Sequence, residues 1–290
     1  MTAAVARIAL LVIWAPATAT AQAGASFLAA RSGSTRAAAL GGAGAALVGD
    51  AGALFANPAG IATIRHLGIE GAYEPFHAGV AISSAALALR IGRLTWGAGA
   101  QVMDSGVGIP PAAGLAMTSL VFRRGLIAVG VSAKYDREEV GAAVEDAWGA
   151  DAGLAIAVFD LMALGVSVQN LGGVRGADAR LPQRTRAGFT LNYTDPQGTF
   201  RLLTTVEGQW VEGLSAQFIQ GIEAALVTSG VGLAARAGYA SRPVFSGASR
   251  VTVGGGIVLG GGGGHLHFDY AFQGHETLGS THRMGVRWAP

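Results

Sequence analysis

The chain has no cysteine in 290 residues and only 13% charged residues. Past its first two dozen positions it has no apolar run long enough to cross a membrane as a helix. Without cysteine there is no disulfide scaffold. The scarcity of charge does not suit an ordinary soluble domain, since 51% of the residues are hydrophobic and the mean hydropathy is +0.43. A helical membrane protein is excluded by the missing long run. Basic clusters interleaved with aromatics are also lacking, so a formal charge of +2 and a pI near 9.3 do not point to nucleic acid. The glycine runs carry no phosphate-loop lysine and no GxSxG elbow occurs, so no enzyme and no cofactor is expected.

What is present begins with Arg7, the apolar run Ile8 to Ala17 and the small-residue site Ala21-Gln22-Ala23. Residues 1–23 read as a secretory signal peptide, with the mature chain starting at Gly24. Export without cysteine fits a bacterial envelope protein.

From about residue 66 the chain alternates apolar and other residues in short segments, the period-two signature of strands. HLHFDYAF sets Leu266, Phe268, Tyr270 and Phe272 on one face. RMGVRW sets Met284, Val286 and Trp288 against Arg283, Gly285 and Arg287. About fourteen such segments fill residues 66–290, each with its turn about 16 residues long, enough to cross a bilayer when tilted. The expected fold is an all-β antiparallel transmembrane barrel in the bacterial outer membrane.

Connections alternate in length, as such barrels require. Brief ones fall around Gly92, Arg124, Phe159-Asp160 and Ser229; longer ones start at Asp104, Asp136, Gly172 and Ser241. Tyr135, Trp148, Trp210 and Tyr239 gather at the long-connection end, and Trp96, Phe122, Tyr193, Phe200 and Trp288 at the other, forming two aromatic belts. A soluble β-sandwich is the competing reading, but it would turn a polar face to water, whereas here the second faces are rich in Gly, Ala and Ser. Two strands break the alternation. The parity change between Ile82 and Leu87 predicts a bulge near Ser83-Ser84, and Gln220 falls among the outward residues, predicting either a register slip or a local opening in the wall.

A barrel of this width leaks unless something occupies it. Residues 24–65 are the available plug, rich in small side chains that permit close backbone approach. Within it, Asp50 is placed to cap a short helix over Ala51 to Phe55. Asn57 can cap the next, with Pro58 at its first position.

The lumen-facing register collects Arg186, Arg201, Glu207, Arg236, Arg250, Asp269 and Arg283, together with Lys134, Asp151, Glu223 and Arg287. Buried charge is costly alone, so ion pairing across the bore is the expected role; the functional alternative is attraction of an anionic head group. His265 and His267 share a face, but no third ligand at suitable spacing accompanies them, so no metal is expected.

The run RSGSTRAAALGGAGAALVGDAGALFANPAGIA resembles the amino-terminal signature of the FadL-like outer-membrane barrels, most closely the PorV/PorQ family. FDYAFQGHETLGSTHRMGVRW is similar to that family's closing strands. The resemblance implies a fourteen-stranded barrel with an internal hatch containing Asn57, Pro58, Ala59 and Gly60. It also implies passage of small hydrophobic molecules or, as for PorV, service to a type IX secretion system that receives exported proteins. Its implied partners are outer-membrane lipid, a hydrophobic small molecule or a secreted protein, and the barrel-assembly machinery during biogenesis. The chain departs from the pattern in its small external connections and in ending on Pro290 rather than an aromatic residue.

Overall fold

Strands dominate the computed structural model, which describes residues 26–76, 79–104, 113–140, 143–159, 161–175, 179–228, 230–243, 247–276 and 279–290. The signal peptide read over residues 1–23, and the tips of several long connections, lie outside them. The strands are β1 (Leu67–Pro75), β2 (Ala81–Ile91), β3 (Leu94–Asp104), β4 (Ala113–Arg124), β5 (Ile127–Val140), β6 (Ala143–Val158), β7 (Met162–Arg175), β8 (Ala179–Arg180), β9 (Arg184–Thr194), β10 (Phe200–Val211), β11 (Gln217–Thr228), β12 (Val231–Ala240), β13 (Ala248–Gly261), β14 (Gly264–His275) and β15 (Gly279–Ala289). Every strand pairs antiparallel with its sequence neighbour, except that β7 pairs with β9 and the two-residue β8 folds back on β7. Pairing of β1 with β15 closes a fourteen-stranded antiparallel barrel. Closure leaves no exposed sheet edge, the condition for a sheet to stand in hydrocarbon.

The barrel is inverted relative to a soluble protein. Large apolar side chains face out, among them Ile69, Leu120, Val131, Leu233 and Met284, while Glu70, Thr95, Gln101, Ser119 and Glu207 are buried inside. An exposed apolar girdle of this extent is stable only against lipid. Trp148, 68% exposed, and Tyr135 meet at 4.9 Å between ring centroids, their planes tilted by 47°, near one end of the girdle.

Three expectations are corrected. The register of β2 runs unbroken from Leu67↔Leu89 to Pro75↔Ala81, so no bulge occurs at Ser83-Ser84. The parity change arises because Ile82 points inward, into an apolar cluster with the plug. Gln220 causes no register slip either: it sits outward and exposed, paired with Val206 and Tyr239 in continuous ladders. The long connection expected from Asp136 is mostly strand, since β5 continues to Val140 and β6 starts at Ala143. Inward Asp136 and Glu138 extend the alternation, and both bind the plug: Ser26 Oγ donates to Asp136 and the Phe27 amide to Glu138, each at 2.7 Å. True irregularities lie between β6 and β7 around Ala150 and between β13 and β14 after Ala248.

Residues 26–64 fold within the lumen. Two short α-helices, α1 (Phe27–Ala30) and α2 (Thr35–Ala39), precede two 3-10 helices, Ala51–Phe55 and Pro58–Thr63. The 3-10 helices pack on β1 to β7, whereas α2 packs on β12 to β15. One half of the bore is therefore an apolar seat, in which Leu28, Leu54, Phe55 and Ile61 meet Ile82, Leu115 and Met117. Ion pairs dominate the opposite half, and buried charged residues flank the apolar seat as well, Glu70 and Glu74 on β1 and Asp136 on β5 among them.

Candidate functional site

Asn57 is the pivot of the apolar side. It is fully buried, with 0% exposure, and its Oδ1 accepts from the Ala59 amide at 3.0 Å, capping the helix that Pro58 opens. Its Nδ2 donates to the Ala45 carbonyl at 2.7 Å and to the Leu154 carbonyl at 3.1 Å, tying two plug segments to the wall. The wall makes room by lacking side chains there: a Cβ on Gly153 would lie 2.0 Å from Asn57 Oδ1, and one on Gly130 within 3.0 Å of Pro58. Asn57→Ala should weaken plug docking by about 2 to 3 kcal/mol, from the lost cap and two buried carbonyls left unpaired. Amide hydrogen exchange across residues 44–62 should then speed up about a hundredfold, with the wall strands unchanged.

Ala59 and Gly60 complete the motif as buried small residues: a Cβ on Gly60 would meet the Ala53 side chain at 2.8 Å. Asp50 departs from expectation. Its side chain caps nothing; it pairs with Arg36 at 3.0 Å and with Arg287. From there a closed circuit of ion pairs joins the plug to one side of the wall, β11 to β15. Arg36 grips Glu223 through two bonds of 2.8 and 2.9 Å, Arg236 bridges Glu223 (2.5 Å) and Asp269 (2.7 Å), and Arg287 bridges Asp269 (2.7 Å) back to Asp50. Three guanidiniums alternate with three carboxylates, two members from the plug and four from the wall. Arg201 adds a further bond to Glu223 at 2.9 Å from a half-exposed position. Burial alone would raise the Asp50 carboxyl, but Arg287 and Arg36 outweigh it and hold it well below the ordinary carboxylate value. The Asp50 contribution is thus present above the ordinary carboxylate pKa and lost only when pH falls through the lowered one, so mild acid leaves these links closed.

A second anchor centres on Glu207, 1% exposed. It accepts from the Gly44 and Ala45 amides, both at 2.7 Å, and from Arg186 at 2.6 Å, while Arg186 also donates to the Gly42 carbonyl. Arg283 forms a third, donating to the Ser32 and Gly33 carbonyls at 2.6 Å. Lys134 and Asp151 pair within the wall at 2.6 Å. Arg250 does not join these clusters: it lies exposed at the long-connection mouth, because β13 has climbed out of the plugged zone there. His265 and His267 border a cavity beside the ion circuit, and no cluster of metal-binding side chains occurs among the described residues. Sequence reasoning missed Arg36, Asp50, Glu70 and Glu74 as site residues. Glu70 accepts from the Gly52 amide at 2.8 Å and Glu74 pairs with Arg31. Alternation along β1, with Glu70 and Glu74 four residues apart on one face, was the available signal.

The plug divides the bore. A cavity of about 640 Å³ lies at the long-connection mouth, bordered by Arg184, Gln209 and Arg250; cavities of about 420 and 810 Å³ lie on the short-turn side.

No protein-family model matches the chain, and no curated protein sequence matches it. Solved structures do. The CymD monoaromatic hydrocarbon channel superposes with a TM-score of 0.60 at 13% identity, over 88% of this chain and 95% of that one. A Pseudomonas aeruginosa FadL homologue gives 0.59 at 11% identity, over 88% and 98%. A TodX monoaromatic hydrocarbon channel mutant, deltaS2S3, gives 0.56 at 11%, over 87% and 96%. The likeness is one of fold: this chain shares with these structures a closed antiparallel β-barrel, here of fourteen strands with an apolar outer girdle.

Proposed function

We propose that this protein is a passive conduit for small hydrophobic molecules across the outer membrane, opened by movement of residues 26–64. The observation that carries the reading is an apolar patch on the lumen face of β2 to β4, set among polar and charged lumen residues. A channel for hydrophilic solutes has no use for an apolar lumen wall. Here Ile82, Leu115, Met117 and Val121 of the wall are covered by Leu54, Phe55 and Ile61 of the plug. A shift of the 3-10 helices away from β2 to β4 uncovers an apolar track, while the ion circuit tethers α2 on the other side. The CymD and TodX structures, both described as monoaromatic hydrocarbon channels, support this substrate class.

The test compares uptake of labelled toluene and of a sugar by intact cells with and without the gene. Toluene uptake should fall severalfold on deletion and recover on re-expression, with sugar uptake constant; unchanged toluene uptake would reject the reading. A secretion defect in place of an uptake defect would favour the docking role that the PorV/PorQ motifs imply.

A further inference from the structure

We propose that the vestibule on the short-turn side is a binding site for small organic anions, compounds with one anionic head group on a compact apolar body. The 810 Å³ cavity there falls within the size range of small-molecule sites. Five arginines border it, Arg36, Arg65, Arg90, Arg123 and Arg201, and no described carboxylate does. Arg36 and Arg201 are compensated from behind by Glu223. Arg65, Arg90 and Arg123 have no ion pair among the described residues, so three positive charges converge on one concavity. A concavity lined by charge of one sign focuses the field and attracts anions more strongly than the same charges on a flat surface.

Two of the three are held in advance. Arg90 and Arg123 each donate Nε to the carbonyl of the glycine two positions on, Gly92 and Gly125, at 3.0 Å. Both glycines sit in left-handed backbone, φ +64° and +62°, so the same Arg-x-Gly turn is built twice on neighbouring hairpins. Fixing the stem at Nε reduces the rotamer entropy lost when the terminal nitrogens meet an oxyanion. The apolar part of the site comes from Leu47, Leu126, Met162 and Leu203 around the same cavity. The site exists in the closed form, with Arg36, Leu47, Val48 and Thr63 of the plug completing its lining, so binding does not depend on the transport reading.

The experiment titrates the full chain in phosphatidylcholine nanodiscs with 1-naphthoate and with neutral 1-naphthylmethanol, read by calorimetry against empty discs. Naphthoate should bind at least tenfold more tightly than the alcohol, and weaken with added salt. The triple variant Arg65→Gln, Arg90→Gln, Arg123→Gln should lose at least tenfold for naphthoate; Arg250→Gln, at the opposite mouth, should lose nothing. Retention of the folded gel mobility before heating shows that the variant barrel has formed. Equal affinity for anion and alcohol, or naphthoate binding untouched by the triple variant, would overturn the proposal. So would inorganic phosphate binding as tightly as naphthoate, which denies the apolar component, or displacement of naphthoate by phosphatidylglycerol placed in the disc, which assigns the arginines to lipid.

Discussion

Glu223→Gln should release the plug from the ionic half of the bore while leaving the barrel intact. The carboxylate is 1% exposed and accepts from three guanidiniums, those of Arg36, Arg201 and Arg236. Removing one partner of a buried ion pair costs about 3 to 5 kcal/mol, because the charges left behind are neither hydrated nor paired. The penalty falls on docking of α2, since Arg36 is the plug's contribution, and the wall strands keep their backbone ladders. In planar bilayers the wild type should be silent and the variant should show brief openings. Hydrogen exchange should rise across residues 35–50 and stay constant in β4 and β5. A second substitution, Arg36→Gln, should recover part of the loss, since the two residues are directly coupled. Silence in the bilayer together with unchanged exchange at residues 35–50 would show that the circuit does not hold the plug.

Gly165→Val should produce a comparable effect by steric means. A Cβ at this inward position of β7 would lie 1.8 Å from the Ala45 carbonyl oxygen and 2.5 Å from its carbon. Backbone stands on both sides of that contact, so no side chain can swing away. Overpacking ordinarily costs about 1 to 3 kcal/mol, and the upper end applies where nothing can yield. Ser167 and Gln169, the next inward residues of β7, donate to the Ala56 and Phe55 carbonyls at 2.7 and 2.8 Å, so displacement at Ala45 loosens them too. Phe55 is buried in the closed form, so chymotrypsin reaches it only when this segment of the plug opens. At about 3 kcal/mol, cleavage there should accelerate about a hundredfold. Gly114→Ala, where an added Cβ meets nothing within 4 Å, is the control and should be cut at the wild-type rate. Equal cleavage of the two variants would mean that the close approach at Gly165 does not set the position of the plug.

The wall could be read from the chain alone because a membrane strand carries its whole environment in its parity. Lipid rewards apolar side chains on one face, and the lumen accepts almost anything on the other, so Phe268 and Tyr270 or Met284 and Val286 announce both strand and orientation. The brief turns around Gly92 and Gly125 mark strand ends by the same local logic, since both require a left-handed residue. Asn57-Pro58 was readable for a related reason: a cap and a first-turn proline act within three residues.

Asp50 was misread on local grounds. Its position before Ala51 suits a cap, yet Arg287, 237 residues away, claims the carboxylate. The inward Ile82 imitated a bulge because only the plug's presence in the bore makes an apolar lumen residue favourable.

By itself, the sequence determined a closed, lipid-embedded barrel with a glycine-rich leading segment, because strand period, turn chemistry and small side chains are properties of neighbours along the chain. Only the tertiary structure decided which arginine meets which carboxylate, where the apolar seat of the plug lies and where Gly153 and Gly165 yield to the plug. Those depend on where the leading segment lies across the lumen, and the energy that places it comes from contacts between residues 18 to 251 positions apart.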